Sequence, residues 1–144
     1  MVTFRRMEEK DVGEVSKIEE AAFSMPWSPK SFLEMIQRDN VFFIVAEENG
    51  KILGSCGVMQ VLDEGNITNV VIAEESRGKG IGTAMLIFMM AEGEKNGITA
   101  YTLEVRVSNA TAIHVYEKLG FVSEGIRKNF YDKPKEDANI MWKR

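Results

Sequence analysis

Apolar residues along the chain recur at two periods, and the places where one period gives way to the other divide it into elements. Asp11 precedes Val12, Val15, Ile18 and Ala22 at helical spacing, with Glu14 three places after it. That pattern predicts a capped amphipathic helix of about three turns. Ser28-Pro29 offers an N-cap and a first-turn proline to a second helix carrying Phe32, Leu33, Met35 and Ile36. The continuous apolar run Val41 to Ala46 reads as a buried strand, and Asn49-Gly50 joins it to a second run, Ile52 to Leu62, as a hairpin. Asp63-Glu64-Gly65 turns the chain into a strand over Ile67 to Ile72. A helix is predicted over Gly80 to Lys95, closed by Asn96-Gly97, and then a strand from Thr99 to Val107. Ser108 or Asn109 starts a last helix that ends near Leu119-Gly120, and Phe121 to Arg127 pairs with Ala138 to Lys143 around a polar loop. With Thr3 to Met7 as an opening strand, the order is β-α-α-β-β-β-α-β-α-β-β. Such a mixture of hairpins and strand–helix–strand crossovers predicts an α/β (α+β) fold, one mixed sheet with helices on both faces.

Composition narrows the class. A chain of 144 residues with 44% hydrophobic positions suits one domain over residues 1–144, burying roughly 70% of the surface it exposes when unfolded. No repeat, low-complexity tract or Pro/Gly/Ser linker suggests a boundary. Eighteen Lys and Arg against 22 Asp and Glu leave a net charge of −4, which disfavours a duplex nucleic-acid binder. Cys56, the sole cysteine, has no disulfide partner within the chain, which fits a reducing compartment. The start, Met1 to Glu9, lacks the apolar stretch of a secretory signal. The longest apolar run, Ala84 to Ala91, falls short of the roughly 18 residues of a membrane span. A soluble, cytosolic protein is the expectation.

Arg77-Gly78-Lys79-Gly80-Ile81-Gly82 lies between a predicted strand and a predicted helix. Its glycines leave backbone N–H groups uncovered, and the helix N-terminus adds about half a positive charge. A phosphate or pyrophosphate is the natural guest, with Arg77 and Lys79 as cations at its rim. Thr83, three places after Gly80, breaks the dinucleotide fingerprint, and Ala73 stands where a P-loop needs its first glycine. A glycine turn without a ligand is the competing reading; its place between strand and helix favours an anion site.

In the predicted strand Tyr101 to Val107, a period of two puts Tyr101, Leu103, Val105 and Val107 on one face and Thr102, Glu104 and Arg106 on the other. On a solvated sheet Glu104 would be an ordinary surface carboxylate. With helices on both faces it sits in a cleft or is paired, which makes it a candidate general base. Asn109, Ile113 and Tyr116 share one face of the following helix, where a tyrosine reads as a half-buried packing residue. His114 points away from Tyr116, has no Cys or His partner at metal-ligand spacing, and reads as a surface residue. Cys56, in an apolar run, reads as core. The run Met85 to Met90 is apolar nearly all round its helix, which suits core packing, with a dimer contact as the alternative.

Together these segments resemble the GNAT superfamily of N-acetyltransferases. Arg77-x-x-Gly80-x-Gly82 matches its acetyl-CoA pyrophosphate signature in the strand–loop–helix setting. Three stretches narrow the similarity to RimI-type ribosomal-protein-alanine N-acetyltransferases, and it spans essentially the whole chain. They are Pro26-Trp27-Ser28, Leu103-Glu104-Val105-Arg106 through Asn109 to Phe121, and Ile126-Arg127-x-Asn129-Phe130-Tyr131 through Ala138 to Met141. Phe130 departs from the second tyrosine often found there.

The resemblance implies a mostly antiparallel sheet of about six or seven strands and acetyl-CoA as cosubstrate, without a metal. Backbone groups of Val70, Val71 and Ile72 would pair with the pantetheine arm, and Gly78, Lys79, Gly80, Ile81, Gly82 and Thr83, rimmed by Arg77, would hold the pyrophosphate. Asn109 would hydrogen-bond the cofactor. Glu104 would act as general base and Tyr116 as general acid, while Trp27 and Tyr131 would flank the acceptor. The implied acceptor is a protein N-terminus, that of a ribosomal protein; no direct nucleic-acid or membrane contact is expected, and a monomer is favoured. A lysine or small-molecule amine is the alternative acceptor, and a non-catalytic acyl-CoA-binding regulator the alternative of another class. The pairing of Glu104 with Tyr116 speaks against a pure binder.

Overall fold

The computed structural model describes residues 1–144. Its strands are β1 (Thr3–Arg6), β2 (Val41–Glu48), β3 (Lys51–Val61), β4 (Glu64–Ile72), β5 (Ala100–Arg106), β6 (Val122–Asp132) and β7 (Lys135–Lys143). The α-helices are α1 (Val12–Ala22), α2 (Pro29–Ile36), α3 (Ile81–Lys95) and α4 (Ala110–Lys118). All seven strands join one sheet in the order β1-β2-β3-β4-β5-β7-β6, in which only β4 and β5 run parallel.

The helices divide between the faces as the alternating pattern requires. α1 and α2 pack on β2, β3 and β4 through Val12, Val15 and Phe32 against Val41, Phe43 and Val45. On the opposite face, Met85, Leu86 and Met89 of α3 and Tyr116 of α4 meet Ile44, Cys56, Val58, Leu103 and Met141. Local chemistry sets several boundaries. Asn49 and Gly50 take φ of 53° and 79°, the paired left-handed conformation that matches a hairpin's twist. Ser28 caps α2 by accepting from the Ser31 N–H at 3.1 Å, and Asn109 caps α4 by accepting from the Ala112 N–H at 3.1 Å.

The feature that shapes the site is a fork. β4 and β5 pair only at Glu64/Ala100, Gly65/Tyr101 and Asn66/Thr102. Just beyond, β4 carries a bulge: Thr68 faces Gly57 and Val71 faces Ser55, so Asn69 and Val70 fill the place of one partner residue. Asn69 adopts a φ of 55° to make the extra step. A bulge bends its strand and increases its twist, and here the bend carries β4 away from β5.

Two sequence expectations are corrected. Asp11 does not cap α1; its carboxylate accepts two hydrogen bonds from the Arg5 guanidinium, at 2.7 and 2.9 Å, and one from the Glu8 N–H at 2.8 Å. Glu14 turns outward from the helix start to accept from the Ile52 N–H at 3.2 Å. A charged tertiary partner outcompetes the local cap. The polar loop expected between Arg127 and Ala138 is instead paired strand, with Tyr131 opposite Glu136 and Asp132 opposite Lys135. β6 is an edge strand exposed along nearly all its length, so no apolar alternation marks it.

Candidate active site

The period of two in β5 holds. Tyr101, Leu103 and Val105 enter the α3–α4 core, leaving Thr102, Glu104 and Arg106 on the other face. On that face α1 and α2 cover β2 to β4, and Glu104 is partly buried, its side chain 23% exposed. Its carboxylate faces the Arg127 guanidinium at 3.7 Å, and that guanidinium lies over the Phe130 ring at 5.3 Å. Half-buried Tyr131 neighbours the same carboxylate: burial pushes its hydroxyl pKa up, and the negative charge of Glu104 adds to the rise.

Arg106 anchors the turn that follows Tyr131. Its guanidinium stacks 4.3 Å from the Tyr131 ring centre, donates to the carbonyls of Pro134 and Lys133 at 2.8 and 3.1 Å, and pairs with Glu136 at 3.1 Å. The Ser24 hydroxyl, in the α1–α2 loop, donates to the Lys133 carbonyl. The loop carrying Trp27 therefore touches the β6–β7 turn. Trp27 itself is largely committed to packing, with ring centres 5.4 Å from Phe32 and 6.0 Å from Phe43.

Tyr116 is buried on α4, its ring 5.8 Å from Phe121. Its hydroxyl makes no hydrogen bond within the chain, and burial raises its pKa above the ordinary tyrosine value, with smaller contributions from Cys56 and Tyr131. Burial pushes the Cys56 thiol up to about 12, which leaves it protonated and a poor nucleophile. His114 is exposed. No group of three or more His, Cys, Asp or Glu side chains is placed to hold a metal ion.

The glycine loop is open. Gly78 and Gly80 both take φ of 78°, and a Cβ at either would meet nothing within 4 Å, so glycine is needed for conformation rather than for crowding. The first hydrogen bond of α3 comes from the Ala84 N–H to the Gly80 carbonyl, leaving the N–H groups of Gly80, Ile81, Gly82 and Thr83 without backbone acceptors. Arg77 is less free than the sequence suggested: its Nε donates to the Ile72 carbonyl at 2.9 Å and ties the loop to the end of β4. Lys79 remains exposed. Val70 and Ile72 pack partly buried against the α3–α4 core, and Val71 is buried. At Asn109 the carbonyl oxygen is committed to the helix cap, leaving the amide nitrogen for any ligand. An extended, unpaired stretch of β4 edge leading to a nest of free N–H groups at a helix start fits a long ligand with a phosphorylated end.

Glu19 and its partner Asn69 escaped sequence reasoning. Glu19 has no exposed surface and accepts from the Asn69 amide at 2.7 Å and from the Trp27 N–H at 2.6 Å. Burial raises its pKa, opposed by these two hydrogen bonds. Nothing in an amphipathic helix distinguishes such a glutamate from its solvated neighbour Glu20. A surface depression of about 760 Å³ beside the C-terminal end of α3 contains none of the residues singled out above for catalysis or binding.

Residues 12–121 match the Acetyltransferase (GNAT) family. The ribosomal protein bS18-alanine N-acetyltransferase of Escherichia coli strain K12 is 36% identical over 143 residues, covering 98% of this chain and 96% of its own. The enzyme of the same name from Haemophilus influenzae is 33% identical over 144 residues, covering 98% and 97%. The crystal structure of the E. coli ribosomal-protein-S18-alanine N-acetyltransferase matches with a TM-score of 0.91 at 36% identity, over 99% of this chain and 93% of that one.

Proposed function

The chain belongs to the GNAT family of acetyltransferases, and we propose that it transfers the acetyl group of acetyl-CoA to the N-terminal α-amine of a protein, the N-terminal alanine of ribosomal protein bS18. The observation that carries this reading is the fork between β4 and β5, with Glu104 on its β5 arm and the glycine nest beyond its β4 arm. Relatives matched over nearly their whole length bear that enzyme name, and a net charge of −4 suits a basic ribosomal acceptor.

Acetyl-CoA supplies an acyl carbon already activated as a thioester, so no covalent nucleophile is required. The backbone of Val70, Val71 and Ile72 would hold the pantetheine arm, with one N–H polarising the acyl oxygen. Gly78 to Thr83 would hold the pyrophosphate, with the Asn109 amide as a further donor. Glu104 takes a proton from the acceptor ammonium through water, and Tyr116 delivers one to the departing sulfur. Trp27 and Tyr131 flank the acceptor peptide, Tyr131 through its ring and Trp27 through the loop it anchors. Residues 1–144 act as one monomeric catalytic unit in the cytoplasm. No helix is long and apolar enough to cross a membrane.

The test is a panel of peptides with different first residues, incubated with acetyl-CoA and mapped by mass spectrometry. Acetylation of the α-amine of alanine-initiated peptides is expected. Modification confined to lysine side chains or small amines would overturn the acceptor assignment, and cofactor binding without turnover on any amine would overturn the enzymatic one.

A further inference from the structure

Glu19, in the last turn of α1, is the most deeply buried carboxylate in the protein, with no exposed surface. A carboxylate taken from water is costly unless its oxygens are satisfied, and both are. Oε2 accepts from the backbone N–H of Trp27, eight positions on, and Oε1 from the side-chain amide of Asn69, fifty positions on. These donors belong to opposite sides of the proposed reaction. Trp27 lies in the α1–α2 loop, whose Ser24 meets the β6–β7 turn beyond Tyr131 on the acceptor side. Asn69 is the left-handed residue of the β4 bulge, next to Val70, where the pantetheine arm is proposed to lie. Stability alone would be served as well by apolar residues in this place.

We propose that Glu19 is a positioning residue that clamps the acceptor-side Trp27 loop to the cofactor-side Asn69 bulge, so that amine and thioester meet in a fixed orientation. The clamp rests on the acetyl transfer proposed above. It acts through Trp27 and Asn69 and touches no reacting atom. Its contribution is to orientation, where a displacement of about 1 Å costs on the order of 10²-fold in rate.

The experiment is steady-state kinetics on an alanine-initiated peptide, with acetyl-CoA affinity measured separately by calorimetry and folding checked by thermal melts. Asn69→Gly keeps the positive φ of the bulge but removes its donor; kcat/KM for the peptide should fall about 10- to 100-fold, in kcat as well as KM, with acetyl-CoA affinity within about threefold of wild type. Glu19→Ala, which removes both bonds, should do the same or more. Glu19→Gln should recover to within about fivefold of wild type, because its carbonyl can accept from Trp27 while its amide donates to a turned-over Asn69. Wild-type kinetics in folded Asn69→Gly, or Glu19→Gln as impaired as Glu19→Ala, would overturn the clamp while leaving acetyl transfer intact. If Glu19→Ala does not fold, Asn69→Gly and Glu19→Gln decide against wild type. Inactivity of the wild type on every amine would overturn both proposals.

Discussion

Arg127 on β6 reaches over β7 to place its guanidinium 3.7 Å from the carboxylate of Glu104 on β5. The arginine side chain is 56% exposed, so the pair sits at the rim of the cleft, where an ion pair is worth about 0–1 kcal/mol. An incoming ammonium can displace the guanidinium at little cost. The pair thus orients Glu104 without locking it away from the cleft rim.

Glu104→Gln is expected to keep acetyl-CoA affinity and to lower turnover about 10²- to 10⁴-fold, the range for losing a general base. Raising the pH should recover part of the loss, since more of the acceptor amine is then neutral. Peptide turnover measured across pH checks this; a wild-type rate near neutrality would leave Glu104 a structural carboxylate.

Tyr116→Phe keeps the ring against Phe121 and removes a hydroxyl that has no hydrogen bond to lose, so the melting temperature should change little. A thiolate can depart without full protonation, and the penalty should be smaller than for Glu104, on the order of 10- to 10²-fold in kcat. If calorimetry shows the affinity for acetyl-CoA collapsing while kcat holds, Tyr116 binds rather than donates.

Gly80→Asp should weaken acetyl-CoA binding sharply while the protein stays folded. The site has room for a Cβ, so the cost to folding is confined to the left-handed φ, about 1–2 kcal/mol. The carboxylate would add negative charge to the anion nest at the start of α3. Unchanged affinity by calorimetry in the folded variant would count against the loop as the pyrophosphate site.

Stability should fall in acid partly through Asp11. Hydrogen bonding from Arg5, the largest cause, holds its carboxyl below the ordinary value of 3.8, so the folded state binds its proton less readily than the unfolded state does. The resulting stabilisation, about 1–3 kcal/mol for such a charged hydrogen-bonded pair, is fully present above the unfolded value and is lost as pH falls through the folded one. Urea unfolding of wild type and Asp11→Asn at neutral and acid pH should show a stability gap that closes in acid. A gap of constant size would rule this out.

How far the sequence could be read depends on the range of the interaction concerned. The face of Glu104 follows from a two-residue period that β5 keeps along its length, and Gly78 and Gly80 stand where the backbone needs left-handed φ. Glu19 was hidden because what buries it is Asn69, fifty residues away, at a bulge whose positive φ falls on asparagine rather than glycine. Asp11 resembled a cap until Arg5 came within reach of it. β6 stayed illegible in its second half because an edge strand with solvent along most of its length has no buried face to advertise; only its partner β7 reveals it.

The fork also bears on how this protein avoids sticking to others. A strand with unpaired backbone groups invites pairing by foreign strands, and the outer strand β6 carries Glu124, Arg127, Lys128 and Asp132, the kind of charges that discourage it. Beyond Asn66, β4 has a further unpaired edge, and it faces inward, toward β5. β5 stands opposite, and the gap narrows to closure at the three paired positions from Glu64 to Asn66. An edge that opens inside its own sheet offers a foreign strand less room than a free outer edge. This edge is therefore shielded by its place within the sheet, and its residues Thr68 to Ile72 need none of the charges that guard β6.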